Sequence, residues 1–398
     1  MRIALVTETF APEINGVAMT LGRITEGLLR KGHTLQIVRP SQGKTDIPSQ
    51  LPEQQDILVS GFPIPFYSTL RFGITSESRL IKLWKQDRPD IVHVATEGPL
   101  GLFAINAARK LNLPITSSFH TNFQNYTNYY GIGFLKKLID AYLRWLHNQT
   151  MATLVPTQSM VHMLHSRGYK NVSLFSRGVA LEHFSPAFRS STLRESWGVT
   201  EQDIVVMHVG RLAKEKNIKL VLSTFSAIQA LHPNAKMVFV GDGPLRKSLQ
   251  DSCPNAIFTG MKIGSELATH YASGDLFLFP SITETFGNVV PEALASGLAV
   301  VAYDYAAAAQ LIISESNGLL VPFSDESGFV NTALKSVSKL EYMQSIRQKA
   351  SPSVAHLKWD VVCDRFLDTL YKVAEHHAQH YEKTKSTVRM KSVILPNA

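Results

Sequence analysis

Short runs of β-branched and aliphatic residues alternate along this chain with longer stretches whose apolar positions recur every three to four residues. Residues 2–7 (RIALVT) form the first run. A loop carrying Pro12 and Gly16 follows, and then Leu21, Ile24, Leu28 and Leu29 fall on one side of a helix over 18–31 that Gly32 closes. HTLQIVRP (33–40) predicts the next strand, so the chain opens with a strand, a helix and a second parallel strand. The pattern recurs with a strand at 90–94, a helix over 100–111 and a strand at 115–119, then short strands at 153–156 and 172–175. It starts afresh with IVVMHV (204–209), a helix over 217–231, KMVFV (236–240), and buried strands near 256–258, 276–278 and 300–302. Several strands end in a Gly-bearing loop, and the polar segment 185–198 between the two series has no strand period.

This predicts an α/β chain of two Rossmann-like domains over 1–190 and 191–355. A helix over 356–381 is expected to pack back toward the first domain, with a basic tail over 382–398. Length alone also admits one large doubly wound domain. In such sheets ligands bind outside the carboxyl ends of the strands, and two such edges facing each other would enclose an interdomain cleft.

The chain has 398 residues and a formal net charge of +8. The excess is local: residues 1–190 hold 20 Lys and Arg against 12 Asp and Glu, whereas 191–398 hold 20 of each. A basic first half favours an anionic partner. Nucleic acid is excluded as that partner, because the sequence has no zinc-finger spacing, no RNP-like run and no basic recognition helix. The two cysteines, Cys253 and Cys363, support neither a disulfide framework nor a Cys-based zinc site, which suits a reducing compartment. The N-terminal apolar run is too short for a signal-peptide core, and no stretch reaches the roughly 18–20 apolar residues of a spanning helix. A cytoplasmic protein is expected, soluble or peripheral to a membrane.

Four segments carry candidate chemistry, and a fifth reads as a turn. In PSITETFGNVVPEALASG (280–297), Glu284 and Glu292 flank Phe286, Gly287 and Asn288 and the start of a helix at Val289, with Pro291 in its first turn. Backbone N–H groups at such a start suit an anion, and a carboxylate just inside it suits a pair of sugar or ribose hydroxyls. An ordinary capped core helix with surface acids gives the same pattern. In HVGRLAKEKN (208–217), Arg211 and Lys216 follow a strand end, where two cations suit a diphosphate. A solvated basic helix start is the plainer reading, weakened because cations are misplaced at a helix N-terminus unless an anion is there. His120 in SSFHTN and Gly16 in INGV also stand at strand ends, and each alone is weak. Gly241, Asp242 and Gly243 read as a tight turn.

Taken in order, these segments resemble the family-4 retaining glycosyltransferases of the GT-B fold. The likeness runs through ETFAPEINGV, SSFHTNFQNYTNYYGIGFLKKL, SRGV, VGRLAKEKN, GDGP, YASGDLFLFPSITETFGNVVPEALASG and NGLLVPF. The stretch around HTNF and YLRWLHN is most similar to sulfoquinovosyldiacylglycerol synthases and actinobacterial α-mannosyltransferases. The resemblance implies transfer of a hexose from GDP-mannose or a UDP-hexose, with retention, without metal or other cofactor. It places His120 and Glu284 at the reacting sugar, Arg211 and Lys216 on the diphosphate, and Glu292 on the ribose. Met261 and Lys262 would lie beside the base, and Phe286, Gly287, Asn288 and Val289 along the sugar. Gly16 would let its loop approach the donor. The absence of any D-x-D triplet agrees with metal independence.

The chain departs from the family at Ala180, often Asp, and at 303–310 (YDYAAAAQ), often Gly-Gly and Glu, so the resemblance carries no donor sugar. The implied acceptor is a lipid or glycan in glycolipid or cell-envelope synthesis. Residues 126–147 interleave Tyr, Phe and Trp with Lys136, Lys137 and Arg144, and 65–85 add Arg71, Arg79, Lys82 and Lys85. Either segment could face an anionic membrane surface, or pack its aromatics inward as amphipathic helices usually do. The alternatives are a non-catalytic nucleotide- or glycan-binding protein of the same fold, and another GT-B enzyme such as a nucleotide-sugar 2-epimerase.

Overall fold

A computed structural model describes residues 1–13, 15–43, 46–64, 67–119 and 136–393. The chain forms two units, Met1–Ser176 with Trp359–Ala398, and Arg177–Lys358.

In the first unit the strands are β1 Arg2–Val6, β2 Thr34–Pro40, β3 Gln50–Leu51, β4 Gln54–Ile64, β5 Tyr67–Ile74, β6 Ile91–Val94, β7 Ile115–Ser118, β8 Ala152–Val155 and β9 Val172–Leu174. They form one sheet in the order β3-β4-β2-β1-β6-β7-β8-β9, with β5 antiparallel on β4. From β4 through β2 and β1 to β9 the pairing is parallel. The continuous apolar runs follow from this, because helices cover a parallel sheet on both faces and leave its central strands no polar side. The helix Gly16–Arg30 starts where the Asn15 side chain accepts the N–H groups of Val17 and Ala18.

The final helix, Trp359–Val393, lies against that first helix. Val362, Phe366 and Leu370 enter the same core as Leu21, Ile24 and Leu28. Gly27 permits the approach, since a Cβ there would come within 2.3 Å of Cys363 Sγ. Ion pairs from Arg30 to Asp360 (3.0 Å) and from Lys31 to Asp364 (2.7 Å) flank the contact. The helix runs well past 381, so most of the expected tail is helical.

The second unit holds β10 Val205–Val209, β11 Lys236–Val240, β12 Ile257–Gly260, β13 Leu276–Phe279, β14 Ala299–Tyr303 and β15 Leu319–Val321. All pair in parallel, in the order β12-β11-β10-β13-β14-β15. Counted from β10 this is 3-2-1-4-5-6, the Rossmann order. The loops after β10 and β11 touch through main chain. Gly241 has φ +134°, and a Cβ there would lie 2.0 Å from the Gly210 carbonyl oxygen, so no side chain fits.

The expected boundary at 190/191 falls inside this unit. Val179 N–H bonds the Leu357 carbonyl (2.9 Å), and Arg189, Arg194 and Arg347 converge on the buried Asp275 at 3.1, 2.9 and 2.8 Å. A buried carboxylate held by three guanidiniums fixes 177–196 to the second sheet, which no periodicity in that polar stretch reveals.

Candidate functional site

In the second sheet the strand order reverses between β10 and β13, and the loops following those two strands bound the crevice where such sheets bind ligands. The loop after β10 makes a short 3-10 turn, Lys214–Lys216, and Asn217 in left-handed conformation (φ 51°) turns it into the helix Ile218–Leu231. Main-chain bonding of Ile282 N–H to the Glu215 carbonyl (3.1 Å) joins it to the loop after β13. Across this junction Lys216 Nζ forms an ion pair with Glu284 Oε1, and the same oxygen accepts the Ser281 hydroxyl at 2.8 Å. Lys216 Nζ also lies 5.7 Å from the centroid of the Phe279 ring. The two side chains are only 18% and 12% exposed, so removing either leaves the other poorly solvated and without its opposite charge.

Arg211 is more exposed (57%) and stands 3.6 Å from Glu215. Arg211 and Lys216 therefore both meet carboxylates of the protein itself, which accounts for their presence ahead of a helix start. Beyond Glu284, Phe286 is buried, Gly287 has φ +94°, and Asn288 precedes the helix Val289–Ala295 with Pro291 inside its first turn. The N–H groups of 287 and 288 thus lie ahead of the helix and outside its internal bonding. Within that helix Glu292 Oε2 accepts the Tyr271 hydroxyl at 2.9 Å. Burial pushes the Glu292 carboxyl up to about 7, with the Tyr271 bond opposing the shift. Met261 is 68% exposed just past β12, and Lys262 pairs with Glu266 at 3.5 Å. Gly16 is the first residue of its helix, in the other unit. His120 lies outside the described residues, as do 121–135.

Four residues that the motifs do not single out complete this site. Tyr305 donates its hydroxyl to the Glu284 carbonyl (2.9 Å), and Ser281 and Tyr271 hold the two glutamates. The buried Arg177 guanidinium is drawn down to about 10 by desolvation, opposed by the charge of Glu284. All four lie in segments already quoted, Arg177 in SRGV, Tyr271 and Ser281 in YASGDLFLFPSITETFGN and Tyr305 in YDYAAAAQ, but none carried a role of its own there. The hydroxyl groups belong to residue types too common to stand out.

In the first unit Glu8 lies two residues past the end of β1 and accepts the Leu100 N–H at 3.0 Å. Burial, with Glu97 adding to it, raises the Glu8 carboxyl to about 7. Nearby, Ser117 Oγ is 2.9 Å from His147 Nδ1, and His147 Nε2 is 3.6 Å from Glu97. The three residue types are those of a hydrolytic triad. All three side chains are buried, however, and Ser117 also bonds Thr150 and Thr153, so this is a core network that no substrate reaches.

Residues 14–183 match Glycosyltransferase Family 4, and residues 203–339 match Glycosyl transferases group 1. The chain is 34% identical to a GDP-mannose-dependent alpha-mannosyltransferase of Mycobacterium tuberculosis, over 92% of this chain and 95% of that one. The chain belongs to glycosyltransferase family 4. A second relative of this glycosyltransferase is an alpha-monoglucosyldiacylglycerol synthase of Streptococcus pneumoniae, 28% identical over 76% of this chain and 71% of that one. Among solved structures, sucrose-phosphate synthase of Thermosynechococcus elongatus superposes with a TM-score of 0.75 at 17% identity, covering 93% of the enzyme and 98% of that chain. The fold is thus GT-B, with two Rossmann-like domains. Among the described residues no helix is long and apolar enough to cross a membrane.

Proposed function

We propose that this glycosyltransferase moves a hexose, with retained configuration, from a nucleoside diphosphate sugar to a lipid or glycan acceptor at a membrane face. GDP-mannose is the first donor to test, a UDP-hexose the second. The observation that carries this reading is the Lys216–Glu284 pair at the strand-order reversal. It sets a cation for a diphosphate beside a carboxylate for sugar hydroxyls. Support for mannose and for a lipid acceptor comes from the names of the two relatives.

In this reading Lys216 and Arg211 exchange their carboxylates for the donor diphosphate, Glu292 takes the ribose hydroxyls, and Met261 and Lys262 flank the base. Glu284 and the main chain over 286–289 hold the sugar; the roles of His120 at the reacting sugar and of the Gly16 loop in donor approach rest on the family resemblance alone. The leaving diphosphate accepts the proton of the attacking hydroxyl. The main requirement is to stabilise charge developing on that leaving group, which Lys216 and Arg211 do without a metal. EDTA should therefore leave turnover unchanged in a nucleotide-release assay. Strict dependence on Mg²⁺ or Mn²⁺ would remove the two cations from that role. A donor screen reading nucleotide release, with and without anionic liposomes containing diacylglycerol or phosphatidylinositol, tests the whole reading.

The membrane part has its own support. The helix Lys136–His147 buries Leu143 and Leu146, and its outer face carries Leu138 (68% exposed) and Trp145 (47%) beside Lys137 and Arg144. Apolar side chains flanked by cations on one exposed face fit an anionic lipid surface. The protein should co-sediment with anionic but not zwitterionic vesicles at low salt, and Trp145→Ser should release it. Equal partitioning to both, or none, would point to a soluble glycan acceptor.

A further inference from the structure

We infer that Tyr305, with the turn at Ala306, is a positioning element that fixes the loop 284–287 and so sets which donor hexose is accepted; this rests on the proposed placement of the sugar against Glu284. After β14 the chain turns at Tyr305 and enters the helix Ala306–Leu311. Two hydrogen bonds run from this turn to the neighbouring loop: Tyr305 Oη to the Glu284 carbonyl (2.9 Å) and Ala307 N–H to the Phe286 carbonyl (2.8 Å). They bracket Thr285 and fix the main chain on both sides of it. The carboxylate of Glu284 is held independently by Ser281, and by Lys216 until that lysine turns to the diphosphate. Glu284 is thus located at both ends, by main chain and by side chain.

The turn is built for this contact at some cost. Ala306 is buried and has φ +53°, a conformation that glycine adopts freely and alanine does not. The strain persists because the residues on either side are tied down. The Tyr305 ring packs against Phe323, with centroids 5.1 Å apart, and Phe323 also meets Tyr303 at 5.7 Å, which holds the tyrosine rotamer.

The segment 306–309 is all alanine and offers no polar side chain to a sugar. Discrimination between hexoses that differ at one hydroxyl then falls on Glu284 and on the main chain of the fixed loop. Such discrimination is strong only where the hydrogen-bonding groups are held in place, since a misplaced group loses the contact that rejects the wrong isomer. Tyr305 touches neither diphosphate nor leaving group in this arrangement, so its effect is on the sugar.

The test is Tyr305→Phe, which removes one hydroxyl and keeps the ring, with Ala306→Gly as a second variant that relaxes the turn without removing a hydrogen bond. GDP and UDP binding is measured by calorimetry, and kcat/KM over a panel of GDP- and UDP-hexoses. For Tyr305→Phe, nucleoside diphosphate affinity should stay within about twofold. kcat/KM for the preferred donor should fall about tenfold, as for loss of one hydrogen bond, and the preference over the next-best sugar should narrow. Ala306→Gly should narrow the preference in the same direction. Unchanged sugar preference in both variants, with any activity loss tracking a fall in Tm, overturns the positioning role alone. Failure of the wild-type protein to bind either nucleoside diphosphate overturns the placement beneath it as well.

Discussion

Replacing Lys216 with alanine should lower turnover by about a hundredfold to a thousandfold, the usual loss when one charge-stabilising contact to a developing anion is removed. In the proposed reading this residue carries the larger share over Arg211. Arg211 is more than half exposed and pairs loosely with Glu215, whereas Lys216 is mostly buried, paired with the Glu284 carboxylate that also accepts the Ser281 hydroxyl, and backed by the Phe279 ring. A charge in partly dry surroundings acts more strongly on a leaving diphosphate than one in water. The loss should appear in kcat and kcat/KM together, because the contact strengthens as the leaving group separates. Lys216→Ala also strands the Glu284 carboxylate, so the Lys216→Ala, Glu284→Gln double variant is needed beside it. Recovery of folding stability without recovery of turnover would separate the two roles of the lysine. Near-wild-type turnover in Lys216→Ala would end its assignment to the diphosphate.

The fold was legible wherever burial imposes a pattern. Strands β10 and β11 lie between helices on both faces, so their sequences are unbroken apolar runs and their limits read to within a residue. The paired β4 and β5 were not legible: prolines at 63 and 65 interrupt the run, and an antiparallel pair at the sheet margin has a half-polar alternation too short to register. The domain boundary was missed for an electrostatic reason, since Asp275 and its three arginines are joined by tertiary contact and share no spacing. At the site the same division holds. Lys216, Glu284 and Glu292 announce themselves as charges at strand ends and helix starts. Tyr271, Ser281 and Tyr305 act through single hydroxyls whose partners lie 3 to 21 residues away, and only the fold brings them together. Met261 and Lys262 were named by resemblance, Gly16 by its strand-end loop as well, and their geometry by itself adds no contact to a ligand.

Glu292 should make donor affinity depend on pH near neutrality, and stability depend on pH in the opposite sense. Its carboxyl titrates at about 7 in the folded protein, against 4.5 for an ordinary glutamate, because burial disfavours the charge more than the Tyr271 bond restores it. Two ribose hydroxyls can both donate only to the ionised form. Below pH 7 the donor must therefore expel a proton to bind, and its apparent affinity should fall by up to about tenfold per pH unit, levelling off above 7. For stability the sign is reversed. The folded state holds the proton more tightly than the unfolded one, so the contribution of this group is fully present below 4.5 and is lost as pH rises toward 7. Tyr271 does not titrate in that window, since burial and Glu292 raise its hydroxyl further above its ordinary range. Glu8 does, with its carboxyl also near 7. The stability readout must therefore be the difference between wild type and Glu292→Gln, in which only the Glu292 part disappears. In Glu292→Gln the donor KM should rise about tenfold at pH 8, for loss of a charged hydrogen-bond acceptor, and become flat between pH 6 and 8. A variant that keeps the wild-type pH profile of KM would place the titrating group elsewhere and take the ribose away from Glu292.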